Sequence, residues 1–270
     1  MAINLSDKGF KKVANDFDLF FIDIWGVIHN GIALNSDAID VLSELDNLGK
    51  EYVLLTNAPR PNSDVIRFLK KLGLDDKKSL KVYTSGQCSL NYLSTEKKDL
   101  KFFHLGSTND IGLFKNFISL KQKRAEEADY LLCTGLFDEI DDIEFYKNFL
   151  FPFKNKEMVC TNPDLIVDRG DVREYCAGSI AKVFEEIGGI VKYFGKPYPL
   201  VYQKSSNIKN KKVLCIGDNL NTDIRGANIQ NFHSLLILNG IHKNEDKNQL
   251  NKLFEKHQVD VDYIQQNLKW

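Results

Sequence analysis

The chain has no paired cysteine spacing, no excess of charge of either sign and no uninterrupted apolar segment near its N-terminal motif, and each absence removes a class of function. Its five cysteines, Cys88, Cys133, Cys160, Cys176 and Cys215, are scattered and odd in number. That excludes a disulfide framework and a cysteine-based zinc site and predicts buried free thiols. Basic and acidic residues nearly cancel to a formal net charge of −1 although 27% of the chain is charged. With no general positive field, neither nucleic acid nor an anionic membrane is an expected partner, and any anion has to be held by a local cluster. The apolar run from Leu19 to Ile28 is broken by Asp23 and Gly26, too short to cross a bilayer. Met1 to Lys12 carries no apolar leader core, so a cytoplasmic protein is the expectation. No internal repeat or low-complexity tract is visible.

What is present is length and alternation. At 270 residues one core with a smaller inserted domain is the natural organisation. Leu19 to Ile24 reads as a strand buried on both faces, and Ala38, Ile39, Val41, Leu42 and Leu45 then mark one helix face, ended by Gly49. Tyr52 to Leu55 is the next strand. A helix carrying Val65, Ile66, Leu69 and Leu72 stops at Gly73, and Val82 to Thr84 leads into a third helix at Ser85. Repeated strand and helix units with short connections predict a parallel sheet covered on both sides.

After the polar stretch Glu96 to Lys101 a second alternation begins: a strand at Phe102 to Leu105, a helix from about Asn109, a strand at Tyr130 to Thr134, a helix from about Asp141 and a strand at Glu157 to Cys160. We expect an inserted domain at 98–170 and a core made of 1–97 and 171–270. Helix Ile180 to Ile187 returns to that core, strands at Val213 to Ile216 and Leu235 to Leu238 finish its sheet, and a mixed-charge helix lies near the C-terminus.

Chemistry collects at the strand ends. Asp23 closes Phe20-Phe21-Ile22 and is followed by Gly26, which is where parallel α/β sheets gather their reacting groups. Leu54-Leu55-Thr56-Asn57, Gly195-Lys196-Pro197 and Cys215-Ile216-Gly217-Asp218-Asn219-Leu220-Asn221-Thr222-Asp223 follow. Taken singly, each has a plain structural reading: a turn aspartate, a strand-end hydroxyl, a solvated lysine, a helix-start charge. Gly195-Lys196 is not a P-loop, because Gly189 is one residue too far and Pro197 stands at the Ser/Thr place.

Order and residue types together resemble the haloacid dehalogenase superfamily of phosphatases. The words Asp-Ile-Trp-Gly-Val, Leu-Thr-Asn-Ala-Pro-Arg-Pro, Tyr-Thr-Ser-Gly and Gly-Lys-Pro-Tyr-Pro look most like its class IIA branch of p-nitrophenyl phosphatase-like and sugar phosphatase-like enzymes. The resemblance covers nearly the whole chain. It implies a doubly wound, Rossmann-like core with an inserted α/β cap, and Mg²⁺-dependent hydrolysis of a small phosphorylated metabolite. Asp23 then corresponds to the aspartyl nucleophile, Thr56 and Lys196 to the phosphate-binding hydroxyl and lysine, and Asp218 and Asp223, with the backbone oxygen of Trp25, to the metal ligands beside Asp23. Asn57, Arg60, Asn162 and Asp164 become candidates for substrate binding, the last two in Thr161-Asn162-Pro163-Asp164, which resembles the cap's specificity loop.

One departure matters. Relatives carry a second Asp at the nucleophile-plus-two position, as acid and base, where this chain has Trp25. Indole is a donor only and cannot act as a base, and a placed acid or base gives about 10²–10⁴-fold. Slow turnover, or a preference for good leaving groups, follows unless another group such as His29 or Asp164 substitutes. The indole itself suits packing on an aromatic or sugar ring. Three rivals stay open: a non-catalytic phosphometabolite-binding protein, a haloacid dehalogenase and a phosphotransferase. So do a monomer and a homodimer.

Overall fold

The structure, a computed structural model, describes residues 2–169, 172–240, 242 and 245–270. The chain first lays down strands β1 (Ile3–Asn4), β2 (Leu19–Asp23), β3 (Glu51–Thr56) and β4 (Val82–Thr84). It then forms β5 (Phe102–Leu105), β6 (Lys121–Gln122), β7 (Tyr130–Cys133), β8 (Glu157–Cys160), the pair β9 (Ile166–Arg169) and β10 (Val172–Tyr175), and β11 (Ile190–Tyr193). It closes with β12 (Val213–Gly217), β13 (His233–Ile237) and β14 (Tyr263–Gln265). Two compact units result: Met1–Thr56, Ile66–Tyr83 and Lys196–Trp270 form the first, Asn57–Val65 and Thr84–Gly195 the second.

The first unit holds a sheet ordered β1-β14-β13-β12-β2-β3-β4. β2 is fully buried and pairs in parallel with β3 and β12, Asp23 lying opposite Leu55 and Ile22 opposite Ile216. From β2 the chain builds outward through β3 to β4, then returns on the other side through β12, β13 and β14. The winding therefore reverses between β2 and β12, and the crevice beyond the carboxyl ends of these strands is where such sheets bind ligands. Continuous apolar strands such as Leu19-Phe20-Phe21-Ile22 form here because both faces are covered. The sheet extends further than the sequence predicts. β14 and the two-residue β1, paired Ile3 to Tyr263, join segments from opposite ends of the chain, which no local pattern encodes.

Helix α1 (Ser36–Asn47) buries Ala38, Val41, Leu42 and Leu45, and α2 (Asn62–Lys71) follows the loop after β3. The second unit starts with α3 (Ser85–Glu96), capped by the Thr84 hydroxyl, which accepts from the Gln87 N–H. Its all-parallel sheet runs β11-β8-β7-β5-β6, with α4 (Ile143–Leu150) and α5 (Ala177–Glu186) contributing to one apolar core around Leu131, Met158, Tyr146 and Phe184.

One expectation changes. Where a helix from about Asn109 is predicted, the chain makes two 3₁₀ stretches, Thr108–Leu113 and Lys115–Leu120. Gly112 is a poor helix former, and Phe117 adopts φ −132°. The span 98–170 falls wholly inside the second unit, but that unit also takes 84–97 and 171–195, because β11 pairs with β8 rather than with the core sheet. The five cysteines are thiols outside any disulfide, four of them buried and Cys176 half-buried. Among the described residues no helix is long and apolar enough to cross a membrane.

Candidate active site

Asp23, Thr56 and Asp218 end or directly follow the three neighbouring strands β2, β3 and β12, so the sheet register alone sets them side by side. All three are buried, as are Lys196 and Asp223. Oxygens of Asp23, Asp218 and Asp223 lie within 4.8 Å of one another. Lys196, 173 positions from Asp23, donates from Nζ to Asp23 Oδ1 at 2.5 Å and to Asp223 Oδ1 at 2.7 Å. Asn219 N–H donates to the other Asp223 oxygen at 3.2 Å.

The electrostatics are unbalanced. Among the described residues three buried carboxylates gather with one ammonium, and burial, with the charge of Asp23 added, lifts Asp223 to about 6 even though Lys196 pulls it down. Burial works against the charge of Lys196, yet Asp223 and Asp23 outweigh it and hold the ammonium above the ordinary lysine range. A site with surplus negative charge and only oxygen donors fits a small hard dication. Asp23, Asp218 and Asp223 would hold it.

Three glycines make room for these carboxylates. A Cβ on Gly26 or on Gly240 would overlap the Asp218 carboxylate, and one on Gly217 would overlap that of Asp223. Gly26 also takes φ +81°, a conformation that L side chains rarely adopt. Gly240 is absent from the sequence reading. Its signal was there, an Asn239-Gly240 dipeptide directly after a buried strand.

Trp25 is 39% exposed and its side chain turns to its own loop. It meets His29 edge-on, ring centroids 5.2 Å apart, and a Cβ on Gly31 would lie 2.8 Å from its Cη2. His29 is buried, its Nδ1 accepts the Gly31 N–H at 2.8 Å, and burial pushes its pKa down to about 4. A neutral imidazole committed in this way braces the loop.

The remaining candidates lie in the second unit. Asn57 Nδ2 donates to Asp164 Oδ1 at 2.9 Å, and Asp164 N–H donates to Asn162 Oδ1 at 3.0 Å. The loop they share passes close to Gly195, where a Cβ would sit 2.5 Å from Asn57 Oδ1 and 2.8 Å from Pro163 Cδ. Arg60 is exposed; its backbone is fixed, the carbonyl accepting the Thr84 hydroxyl at 2.5 Å.

Known proteins agree with this architecture. A family model described as haloacid dehalogenase-like hydrolase matches residues 20–117, and a second, HAD-hydrolase-like, matches 193–266. Together they take in Asp23, Thr56, Lys196, Asp218 and Asp223. An acid sugar phosphatase of Staphylococcus haemolyticus is 26% identical over 78% of this chain and 81% of its own length. A 4-nitrophenylphosphatase of Schizosaccharomyces pombe is 26% identical over 89% of this chain and 90% of its own. Among solved structures, a haloacid dehalogenase-like hydrolase from Brucella suis superposes with a TM-score of 0.77 at 28% identity, covering 87% of this chain and 94% of that one. With both halves of the motif set matched and the fold shared along most of its length, the chain belongs to the haloacid dehalogenase-like hydrolases, in their class IIA branch.

Proposed function

We propose that the protein is a phosphatase that hydrolyses a small phosphorylated metabolite through an aspartyl-phosphate on Asp23, with Mg²⁺ as its metal. The observation that carries the reading is the buried cluster of Asp23, Asp218 and Asp223 around the Lys196 ammonium. A phosphate monoester dianion repels an approaching carboxylate, so attack needs positive charge near both partners. Lys196 supplies part of it at 2.5 Å from Asp23. Bound Mg²⁺ would offset the rest of the negative charge. Thr56 brings a hydroxyl beside the nucleophile strand, suited to one phosphoryl oxygen. Attack by Asp23 expels the alcohol, and water then hydrolyses the acyl phosphate. The acid sugar phosphatase and 4-nitrophenylphosphatase relatives support this substrate class. Asn57, Arg60, Asn162 and Asp164 are assigned to substrate recognition, and the 98–170 region to the cap. Five cysteines outside any disulfide fit a reducing, cytoplasmic compartment.

With Trp25 in the acid–base position and His29 held neutral, leaving groups have to depart with little help. A panel of phosphorylated metabolites and p-nitrophenyl phosphate, assayed for Mg²⁺-dependent phosphate release with wild type and Asp23→Asn, tests the reading. Asp23→Asn should be inactive, and EDTA should silence the wild type. Asp23→Asn activity within threefold of wild type would exclude the mechanism. The same two features favour one second reading, a phosphometabolite-binding protein that does not turn over. Single-turnover labelling of Asp23 separates the two.

A further inference from the structure

Trp25 is built into its loop as a platform rather than tucked into the core. Gly26 N–H donates to the His29 carbonyl at 2.9 Å, and Ile28 and His29 donate back to the Ile24 carbonyl at 2.9 and 3.1 Å. Asn30 Oδ1 accepts from Ile32 and Ala33 N–H, each at 3.0 Å. Inside this hydrogen-bonded loop the indole rests edge-on against His29, which in turn meets Phe68 edge-on at 5.3 Å. Gly31, at φ +91°, lets the backbone approach the indole where any side chain would collide. Yet Trp25 stays 39% exposed, Phe68 39% and Ile32 85%. An indole fixed on one side by a neutral imidazole and a glycine, and left open on the other, pays its ordering cost before any ligand arrives.

Its position gives the open face a purpose. Trp25 is two residues from Asp23, at most about 8 Å between Cα atoms, and its neighbour Gly26 lies against Asp218. A group attached to a phosphoryl at Asp23 therefore starts close to the Trp25 backbone. Phe68, which His29 meets, and Ile32 of the same loop as Trp25 are both apolar and exposed, which disfavours a ligand that must keep its hydroxyls hydrated. We infer that Trp25 is a specificity-determining residue whose exposed face stacks on a planar, apolar ring, aryl or heteroaryl, carried by the substrate's leaving group. The inference rests on the phosphatase reading. It also gives the substitution a rationale, since an aryl oxygen leaves with little protonation and the acid that Trp25 displaces is needed least for such substrates.

Phosphonates test it without turnover. Trp25 and Trp270 are the two tryptophans of the chain, so Trp270→Phe leaves Trp25 as the reporter. With Mg²⁺ present, phenylphosphonate should quench its emission saturably, and methylphosphonate should not. By calorimetry, the ratio of phenylphosphonate to inorganic phosphate affinity should fall about tenfold in Trp25→Ala and be largely kept in Trp25→Phe. Phosphate and phenylphosphonate binding with neither quenching nor a change in that ratio would overturn this inference while leaving the phosphatase reading intact. Failure of inorganic phosphate to bind at all would overturn both. The fluorescence arm uses the unaltered Trp25 and stands even where Trp25→Ala fails to fold.

Discussion

At the scale of single residues, the site is governed by charge count. Lys196 is buried between two carboxylates with a third nearby, so its removal and the removal of Asp23 have opposite consequences for stability. Lys196→Met leaves uncompensated buried charge and should cost on the order of 3–5 kcal/mol in the metal-free protein. Asp23→Asn relieves repulsion and should melt, in EDTA, no lower than wild type. Thermal scans of the three proteins check this, and a large loss in Asp23→Asn would contradict the surplus-charge picture. Trp25 offers the converse experiment. Trp25→Asp should speed hydrolysis of alkyl phosphates by part of the roughly 10²–10⁴-fold that a placed acid or base provides. Unchanged leaving-group dependence in a folded Trp25→Asp protein would mean that another residue already performs the proton transfer.

At the scale of elements, strand ends and the loops after them do the positioning. The carboxyl ends of β2, β3 and β12 present Asp23, Thr56 and Asp218 because their parallel register leaves little freedom, while Gly26, Gly217 and Gly240 admit the carboxylates of Asp218 and Asp223. Gly240 separates space from conformation, since its φ is not positive and the three atoms nearest a Cβ added there all belong to Asp218. Gly240→Ala should lose most Mg²⁺-dependent activity and weaken Mg²⁺ binding while far-UV circular dichroism stays native-like. Wild-type affinity for Mg²⁺ in that variant would show that Asp218 moves aside without consequence. The β2–α1 loop is likewise specified by local hydrogen bonds, with Asn30 Oδ1 and His29 Nδ1 each accepting backbone N–H groups.

At the scale of the whole molecule, stability should depend on pH and on metal. His29 and His104 are buried, and burial pushes them down from 6.5 to about 4 and about 3. Below pH 6.5 the unfolded chain takes up protons that the folded one refuses. The stability these neutral histidines carry is complete above pH 6.5 and is lost as pH falls toward their folded values. For His29 the loss reaches about 3 kcal/mol by pH 4. His29→Asn keeps an acceptor for the Gly31 N–H through an Asx turn but does not titrate. Urea denaturation between pH 7 and 4.5 should therefore show a flatter profile for the variant, and identical slopes would mean that His29 titrates normally. In the same molecule, Mg²⁺ at about 100 times its Kd should stabilise by roughly 2.7 kcal/mol, seen as a raised melting temperature that EDTA reverses.

The sequence by itself determined the residue types and their order: an aspartate closing a buried strand, a hydroxyl after the next, a lysine, and an aspartate pair after a later apolar strand. Alternation of apolar runs and amphipathic segments likewise made the parallel α/β class legible, because side-chain period and turn residues are local properties. Tertiary structure alone decided which distant residues meet. It set Lys196 2.5 Å from Asp23 across 173 positions, joined β1 to β14 from opposite ends of the chain and moved 84–97 and 171–195 into the second unit. It also buried His29, which lowers the pKa of a residue type open to either protonation state, and set its Nδ1 to accept the Gly31 N–H. Such contacts depend on strand register and on desolvation, and both are properties of the folded chain.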